Sequence, residues 1–128
     1  MEPQCRRVLL VEDEQLLRVI FAEALAEEGF QVVEARSGDE AIRLISDPDR
    51  FEAVVTDIDM PGTNDGVAVG RFVRQHDPSI PVVYISGRPD AVRAAEPLGK
   101  REVFLRKPCT PLQLADTLRK LLADPAIL

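Results

Sequence analysis

Five short apolar runs, each followed by a segment with helical spacing, most strongly constrain the fold of this 128-residue chain. The first run is Val8–Val11, and apolar pairs then recur every four residues, beginning with Leu16–Leu17 and Ile20–Phe21. This change of period predicts a buried strand followed by a helix whose apolar face packs on the core. Because strands that alternate with helices form a parallel sheet covered on both faces, the sequence predicts a doubly wound α/β fold of the (βα)5 type.

The other runs follow the same plan. Strands are predicted at residues 8–11, 30–35, 51–56, 81–85 and 102–105. Gly29 follows the first helix, as glycine commonly does at a helix end. Ser37, Asp65 and Thr110 are predicted N-caps of the second, third and fifth helices, because short polar side chains accept hydrogen bonds from free N–H groups there. The fourth helix is predicted at Arg88–Leu98. No long linker separates these units.

Length and composition predict one globular domain over residues 1–128, with its core at about 6–123. The net charge of −6 and the pI of about 4.8 argue against nucleic-acid binding. We find no apolar run of membrane-spanning length and no apolar signal segment, so we expect a cytoplasmic protein that does not enter a membrane. Cys5 and Cys109 lack metal-ligand spacing, and we expect both to be free thiols.

Acidic side chains follow two of the predicted strands. Glu12 and Asp13 come after the first strand, and Asp57 and Asp59 come after the third. In parallel sheets, ligands bind beyond the carboxyl ends of the strands. No glycine-rich loop is present there to cradle a phosphate, whereas clustered carboxylates favour a divalent cation such as Mg²⁺. Taken singly, Glu12 or Asp13 is equally well interpreted as a cap of the next helix.

The fourth and fifth strands are followed by Ser86 and Lys107. Taken singly, Ser86 belongs to a turn and Lys107 to a solvated surface. Together with the acids, they form a set of metal ligands, carboxylate, hydroxyl and lysine that suits phosphoryl transfer to an aspartate. Lys107 would balance the charge of a phosphate, and Ser86 would donate a hydrogen bond to it.

Five segments resemble the receiver domain of bacterial two-component response regulators, in the order of that family. They are Val8–Glu14, Val54–Gly62, Asp65–Gly66, Val82–Gly87 and Phe104–Pro108. The resemblance covers almost the whole chain. It implies a flavodoxin-like five-stranded parallel sheet in the order 2-1-3-4-5, as in stand-alone chemotaxis receivers.

The resemblance also implies a role for each acidic residue. Asp57 corresponds to the phosphoacceptor of the family. Asp13 corresponds to a direct ligand of Mg²⁺, and Glu12 to a ligand that acts through water. The backbone carbonyl of Asp59 corresponds to a further ligand.

The remaining site residues follow from the same resemblance. Lys107 corresponds to the lysine of the family site, and the Lys107–Pro108 bond is expected to be cis. Ser86 and Phe104 stand at the two switch positions. Asp59 and Arg88 stand at variable positions that tune the access of water to the acyl phosphate.

The partners implied are a sensor histidine kinase or a histidine phosphotransfer protein as donor, and a downstream protein as target. Phosphorylation would rearrange the face formed by the fourth helix, fifth strand and fifth helix. Through that face the chain is expected to be a monomer or a weak dimer. We expect the kinase to dock on the outer face of the first helix, including Gln15, Arg18 and Val19. Apart from its own phosphorylation and dephosphorylation, we expect no enzymatic activity.

Two other functions fit parts of the sequence. Asp57 and Asp59 imitate the DxD motif of haloacid-dehalogenase-like phosphatases, although that motif normally follows the first strand of a larger chain. A pseudo-receiver would use the same fold only for docking, without phosphorylation. The segment 62–64 is one residue longer than the commonest loop of the receiver family, and is the clearest departure from that pattern.

Overall fold

Strands and helices alternate along the whole of residues 6–47 and 50–123, which the computed structural model describes. The strands are β1 (Arg6–Val11), β2 (Phe30–Ala35), β3 (Ala53–Asp57), β4 (Val82–Ser86) and β5 (Glu102–Arg106). The helices are α1 (Gln15–Glu27), α2 (Gly38–Ser46), α3 (Gly66–His76), α4 (Ala91–Ala95) and α5 (Pro111–Ala123). The sheet is parallel, with the order β2-β1-β3-β4-β5, so the predicted doubly wound (βα)5 fold is confirmed. Cys5 lies outside the described residues.

The sheet has a separate apolar core on each face. Alternate residues of a strand point to opposite faces, so Leu9 packs on one side and Leu10 on the other. Helices α2, α3 and α4 cover the first side, and helices α1 and α5 cover the second. Strands β3 and β4 are buried along their whole length, which explains the apolar runs Ala53–Val55 and Val82–Ile85. Among the described residues, no helix has the length and apolar character needed to cross a bilayer.

The three predicted N-caps are confirmed. In each case the side-chain oxygen accepts a hydrogen bond from the backbone N–H three residues later, which satisfies one free donor of the first helical turn. The pairs are Ser37 with Glu40, Asp65 with Ala68, and Thr110 with Gln113. These caps mark where α2, α3 and α5 begin. At the start of α3, the Gly66 N–H donates to the carbonyl of Ile58, the residue after β3, at 3.1 Å.

The predicted length of the fourth helix is wrong. Residues Arg88–Leu98 were expected to be helical, whereas α4 covers only Ala91–Ala95. Pro97 explains the early end, because the residue before a proline is driven out of helical conformation. Glu96 accordingly has an extended backbone, with φ −69° and ψ 149°. The strand ends also differ from prediction by up to two residues, since β1 begins at Arg6.

Candidate functional site

Three carboxyl groups converge at the carboxyl ends of neighbouring strands. Asp57 is the last residue of β3, and Glu12 and Asp13 directly follow β1. These strands are paired in the sheet, so the acids meet although more than 40 residues separate them. One oxygen atom from each group lies within 4.8 Å of the others. Glu12 and Asp57 are each only 6% exposed, whereas Asp13 is exposed.

Backbone N–H groups orient two of these carboxylates. Glu14 N donates to Glu12 Oε2 at 3.0 Å, and Asp59 N donates to Asp57 Oδ1 at 3.1 Å. The alternative in which Glu12 or Asp13 caps the next helix is wrong, because the N-cap position of α1 is Glu14 and its side chain makes no capping bond. Glu12 and Asp13 instead each turn a carboxylate oxygen towards Asp57.

Lys107 brings a positive charge to the buried acids. Its Nζ lies 3.0 Å from Asp57 Oδ2 and 3.7 Å from Glu12 Oε1. Burial lowers the pKa of Lys107. The hydrogen bond to Asp57 and the negative charges of Asp57 and Glu12 outweigh this effect, so the net shift of the pKa is upward. The lysine therefore stays charged. The predicted cis bond between Lys107 and Pro108 is confirmed.

The surroundings of Glu12 shift the pKa of its carboxyl group strongly upward. Burial raises its pKa from 4.5 to about 7, and the charge of Asp57 acts in the same direction. The Glu14 N–H and the Lys107 cation oppose this shift only in part. Near neutral pH, the folded protein therefore gains from either a proton or a cation at this position.

The metal-free protein is expected to lose stability as the pH rises from about 5 to about 7.5, because Glu12 holds a proton only in the folded state. The contribution of Glu12 to the free energy of unfolding is complete below pH 4.5, its ordinary pKa. It is lost as the pH rises through about 7, the pKa of Glu12 in the folded protein. Its size is roughly 3 kcal/mol at most. Urea unfolding with a chelator at several pH values measures it. Glu12→Gln should flatten this part of the profile, and identical profiles for the two proteins would contradict the assignment.

The side chains of Ser86, Asp59 and Arg88 form one network beside the acids. Ser86 is completely buried, and its hydroxyl donates to Asp59 Oδ2 at 2.6 Å. Arg88 Nε and Nη2 lie 2.7 and 2.6 Å from Asp59 Oδ1. The hydrogen bond from Arg88 lowers the pKa of Asp59 against the effect of burial, and Ser86 adds to the lowering. The sequence assigned Asp59 and Arg88 to two tuning positions but did not indicate that they form an ion pair with each other.

Phe104 lies away from the acids. It is half-buried on β5, beside Tyr84 of β4, and packs against the core on the side of α2, α3 and α4. Strand β5 forms one edge of the sheet and its residues are only partly covered. A movement of Phe104 would therefore directly change the exposed surface of β5.

The expected docking face on α1 needs correction. Arg18 is buried, so it is not part of the outer face, whereas Gln15 and Val19 are exposed. Leu16 and Ile20 were expected to face the core, yet they are 69% and 48% exposed. Their spacing of four residues was correctly recognised as one helix face, but that spacing alone does not say which face is buried.

Sequence reasoning also missed an apolar cavity of about 420 Å³ beside the acids. It lies between α1 and the turn that leads into α5. Its apolar wall includes Leu17, Phe21, Ile85 and Cys109, and it opens towards Asp57. Burial raises the pKa of the Cys109 thiol, which is free, as expected. The cavity places apolar surface next to the candidate phosphoacceptor.

The longer loop 62–64 packs against α2. The Asn64 side chain donates to Asp39 Oδ1 at 2.6 Å. The Asn64 carbonyl also lies so close to Gly38 that a Cβ atom there would approach it to 1.9 Å. The chain turns at Gly62, whose φ of +101° favours glycine. The loop is thus anchored on the first turn of α2.

Comparisons with known proteins agree with this geometry. The family model described as response regulator receiver domain matches residues 8–119. Sensor kinase CckA of Brucella abortus (strain 2308) is 37% identical over 117 residues, which are 90% of this chain and 12% of that protein. Sensory/regulatory protein RpfC of Xanthomonas campestris pv. campestris (strain ATCC 33913) is 32% identical over 132 residues, covering 94% of this chain and 18% of that protein. The chain therefore spans less than a fifth of these relatives.

A solved structure of similar length gives the same result. The response regulator receiver protein from Sinorhizobium medicae WSM419 superposes with a TM-score of 0.87 and 34% sequence identity, over 95% of this chain and 98% of that one. The strand order and the match over most of the chain confirm the flavodoxin-like receiver fold. The chain belongs to the family of response regulator receiver domains.

Proposed function

We propose that this chain accepts a phosphoryl group on Asp57 from a histidine kinase or a histidine phosphotransfer protein. The observation that carries the proposal is the position of Asp57, buried at the end of β3 with Lys107 Nζ at 3.0 Å and two further carboxyl groups beside it. The proposal places the chain in the cytoplasm, where ATP-dependent kinases form phosphohistidine. It is a signalling module whose only chemistry is its own phosphorylation and dephosphorylation.

In the proposed transfer, a carboxylate oxygen of Asp57 attacks the phosphorus atom of the donor's phosphoimidazole. The P–N bond breaks, the imidazole leaves with the electron pair, and it takes up a proton. Lys107 offsets the charge of the acyl phosphate, since its ammonium group already contacts Asp57 Oδ2. Because Asp57 is 6% exposed, the donor histidine has to enter the pocket itself.

The acidic site fits a hard divalent cation, and we assign Mg²⁺ to it. Glu12, Asp13 and Asp57 offer only oxygen atoms, and these come within 4.8 Å of one another. The backbone carbonyl of Asp59 is proposed as a further ligand. When bound, the ion would offset negative charge on the phosphoryl oxygens.

The proposed switch uses Ser86 and Phe104. After transfer, the Ser86 hydroxyl leaves Asp59 and donates to a phosphoryl oxygen, and Phe104 moves towards the space that Ser86 leaves. Since β5 is an edge strand and α4 has only five residues, this movement reshapes the surface formed by α4, β5 and α5. That surface is proposed to bind the downstream protein or to form a weak dimer.

The donor is proposed to dock on the outer face of α1. Gln15, Leu16, Val19 and Ile20 are exposed there, and Leu112 at the start of α5 is 56% exposed. This apolar surface lies on the same side of the sheet as the cavity beside Asp57. An apolar donor surface would cover it while the histidine reaches the pocket.

The phosphatase alternative is not favoured, because Asp59 is unsuited to act as a general acid. Its two oxygen atoms accept hydrogen bonds from Ser86 and Arg88, and its pKa is lowered. A general acid needs a pKa close to the working pH in order to hold and deliver a proton. Asp59 would therefore stay ionised during the whole reaction and would have no proton to deliver.

Labelling with acetyl phosphate and Mg²⁺ tests the proposal. We expect mass spectrometry to show one added phosphoryl group per chain, removable by hydroxylamine and absent when a chelator replaces Mg²⁺. Continued turnover of a phosphomonoester, lost in Asp59→Asn, would instead support the phosphatase. Failure of acetyl phosphate and of several histidine kinases to label the folded chain would support the pseudo-receiver.

Substitutions of Asp59 and Arg88 are expected to have opposite effects on the rate of labelling. Asp59→Ala frees the Ser86 hydroxyl and removes the closer acidic partner of Arg88, which keeps only its more distant contact with Asp90 at 3.8 Å, so labelling should become severalfold faster. Arg88→Ala leaves the Asp59 carboxylate uncompensated beside the incoming phosphate, so labelling should become severalfold slower. Stopped-flow or timed mass spectrometry at limiting acetyl phosphate measures both rates. Changes of the same sign would contradict this interpretation of the pair.

A further inference from the structure

Arg18 is an arginine of α1 whose burial calls for an explanation. Its side chain is only 8% exposed, although arginine is rarely buried unless it is paired. Taking a guanidinium out of water is costly, and the cost is offset only when its N–H groups find acceptors. The partners of Arg18 therefore indicate what the burial achieves.

The guanidinium joins the acidic site to strand β2. Nη1 donates to the backbone carbonyl of Glu12 at 2.9 Å, in a buried hydrogen bond. Nε donates to Glu34 Oε1 at 3.1 Å. The N–H of Glu12 donates to the carbonyl of Ala35 at the end of β2, at 3.1 Å. The backbone of Glu12 is thus held through both its N–H and its C=O groups.

We infer that Arg18 is a positioning residue for the acidic site, and this rests on the proposed function. Only Glu12–Glu14 separate β1 from α1, so the direction of this short segment decides where the Glu12 and Asp13 carboxylates point. The hydrogen bond from Arg18 fixes the peptide that joins Glu12 to Asp13. The Glu34 carboxylate holds the guanidinium in the orientation that this bond requires.

The chemistry of the side chain explains why an arginine stands here. Its planar guanidinium donates hydrogen bonds in two fixed directions, here to the Glu12 carbonyl and to Glu34. A methionine of similar length would fill the space but would leave the Glu12 carbonyl without this donor. Groups that orient metal ligands typically change metal affinity by 10- to 100-fold when they are removed.

Titration of the isotopically labelled protein with MgCl₂, followed by NMR without any phosphodonor, tests the inference. Arg18→Met is expected to weaken Mg²⁺ binding by about tenfold. Arg119→Met is the matched control, because Arg119 is likewise a helix arginine held in ion pairs, with Glu28 and Asp116, but belongs to α5. Both variants should lower the melting temperature, but only Arg18→Met should change the Mg²⁺ affinity of the folded chain.

Glu34→Met provides a second variant, because the Glu34 side chain is 42% exposed and its loss is compatible with folding. It releases one side of the guanidinium, so Mg²⁺ binding should weaken by about threefold, less than for Arg18→Met. Wild-type affinity in both folded variants, or in Glu34→Met if Arg18→Met does not fold, would overturn the inference alone. A wild-type chain that does not bind Mg²⁺ would overturn the proposed function together with this inference.

Discussion

Asp57→Asn is expected to abolish phosphorylation by acetyl phosphate, with a fall in rate of at least about a hundredfold, to the background. The amide keeps the size of the carboxylate and can still accept the hydrogen bond from Asp59 N, but it is not a nucleophile. The fold should survive, because the substitution also removes one of two neighbouring buried negative charges, Asp57 and Glu12. Mass spectrometry measures the labelling, and circular dichroism measures the folded fraction.

Asp59→Asn is the matched control for this experiment. It makes the same chemical change two residues away, leaves the Asp57 carboxylate in place, and should keep labelling at one phosphoryl group per chain. If Asp57→Asn is labelled at the wild-type rate, another residue is the phosphoacceptor. If labelling is lost in both variants, the loss in Asp57→Asn could come from the changed charge of the acidic cluster. It would then not identify Asp57 as the nucleophile.

Gly66→Ala is expected to destabilise the protein by about 3 kcal/mol, which is large for a change of one methyl group. Gly66 is the first residue of α3, and a Cβ atom there would lie 2.1 Å from the Asp57 carbonyl oxygen and 2.6 Å from Ile58 Cα. These are backbone atoms of β3 and the residue after it, so no side-chain rotation can relieve the contact. Either α3 or the end of β3 must move.

Because that movement includes Asp57, Gly66→Ala should also slow labelling by acetyl phosphate in the fraction that remains folded. Gly99→Ala is the control, since its Cβ atom would meet nothing closer than Glu102 Oε1 at 3.5 Å, an ordinary contact. Its stability should lie within about 1 kcal/mol of the wild type. Urea unfolding compares the stabilities of Gly66→Ala and Gly99→Ala. Equal stability would show that the space between α3 and β3 accommodates a methyl group at Gly66.

The helix ends could be predicted only where a local interaction decides them. Ser37, Asp65 and Thr110 cap their helices with a hydrogen bond inside the next turn, so the sequence contains both partners. Pro97 is equally local, and its effect on the preceding residue should have shortened the predicted fourth helix. The prediction placed Pro97 at the end of the helix, whereas the helix ends at Ala95, two residues before it.

The orientation of α1 could not be read from spacing. Leu16 and Leu17 are neighbours of similar polarity, and either could begin an apolar face with a repeat of four. In the fold, Leu17 lines the cavity beside Asp57, while Leu16 is exposed. The direction in which α1 crosses the sheet decides between them, and that direction depends on packing against β2 and α5.

The ion pairs beside the acidic site could not be predicted from the sequence either. Asp59 and Arg88 follow different strands, and their contact depends on β3 and β4 being neighbours with ends at the same level. Arg18 is buried because β2 brings Glu34 close to the end of β1, which no motif in the first helix indicates. The partners in these two pairs are 16 and 29 residues apart in sequence. They meet only because the register of the sheet brings the strand ends together.

The sequence by itself determined the five βα units and the candidate site residues at the strand ends. It could do so because apolar period and strand-end chemistry are local properties of the chain. Only the tertiary structure decided which charges neutralise each other, which face of α1 is exposed, and that Arg18 donates to the Glu12 carbonyl. These outcomes depend on distances between segments that lie far apart in sequence, and such distances are set by packing and register.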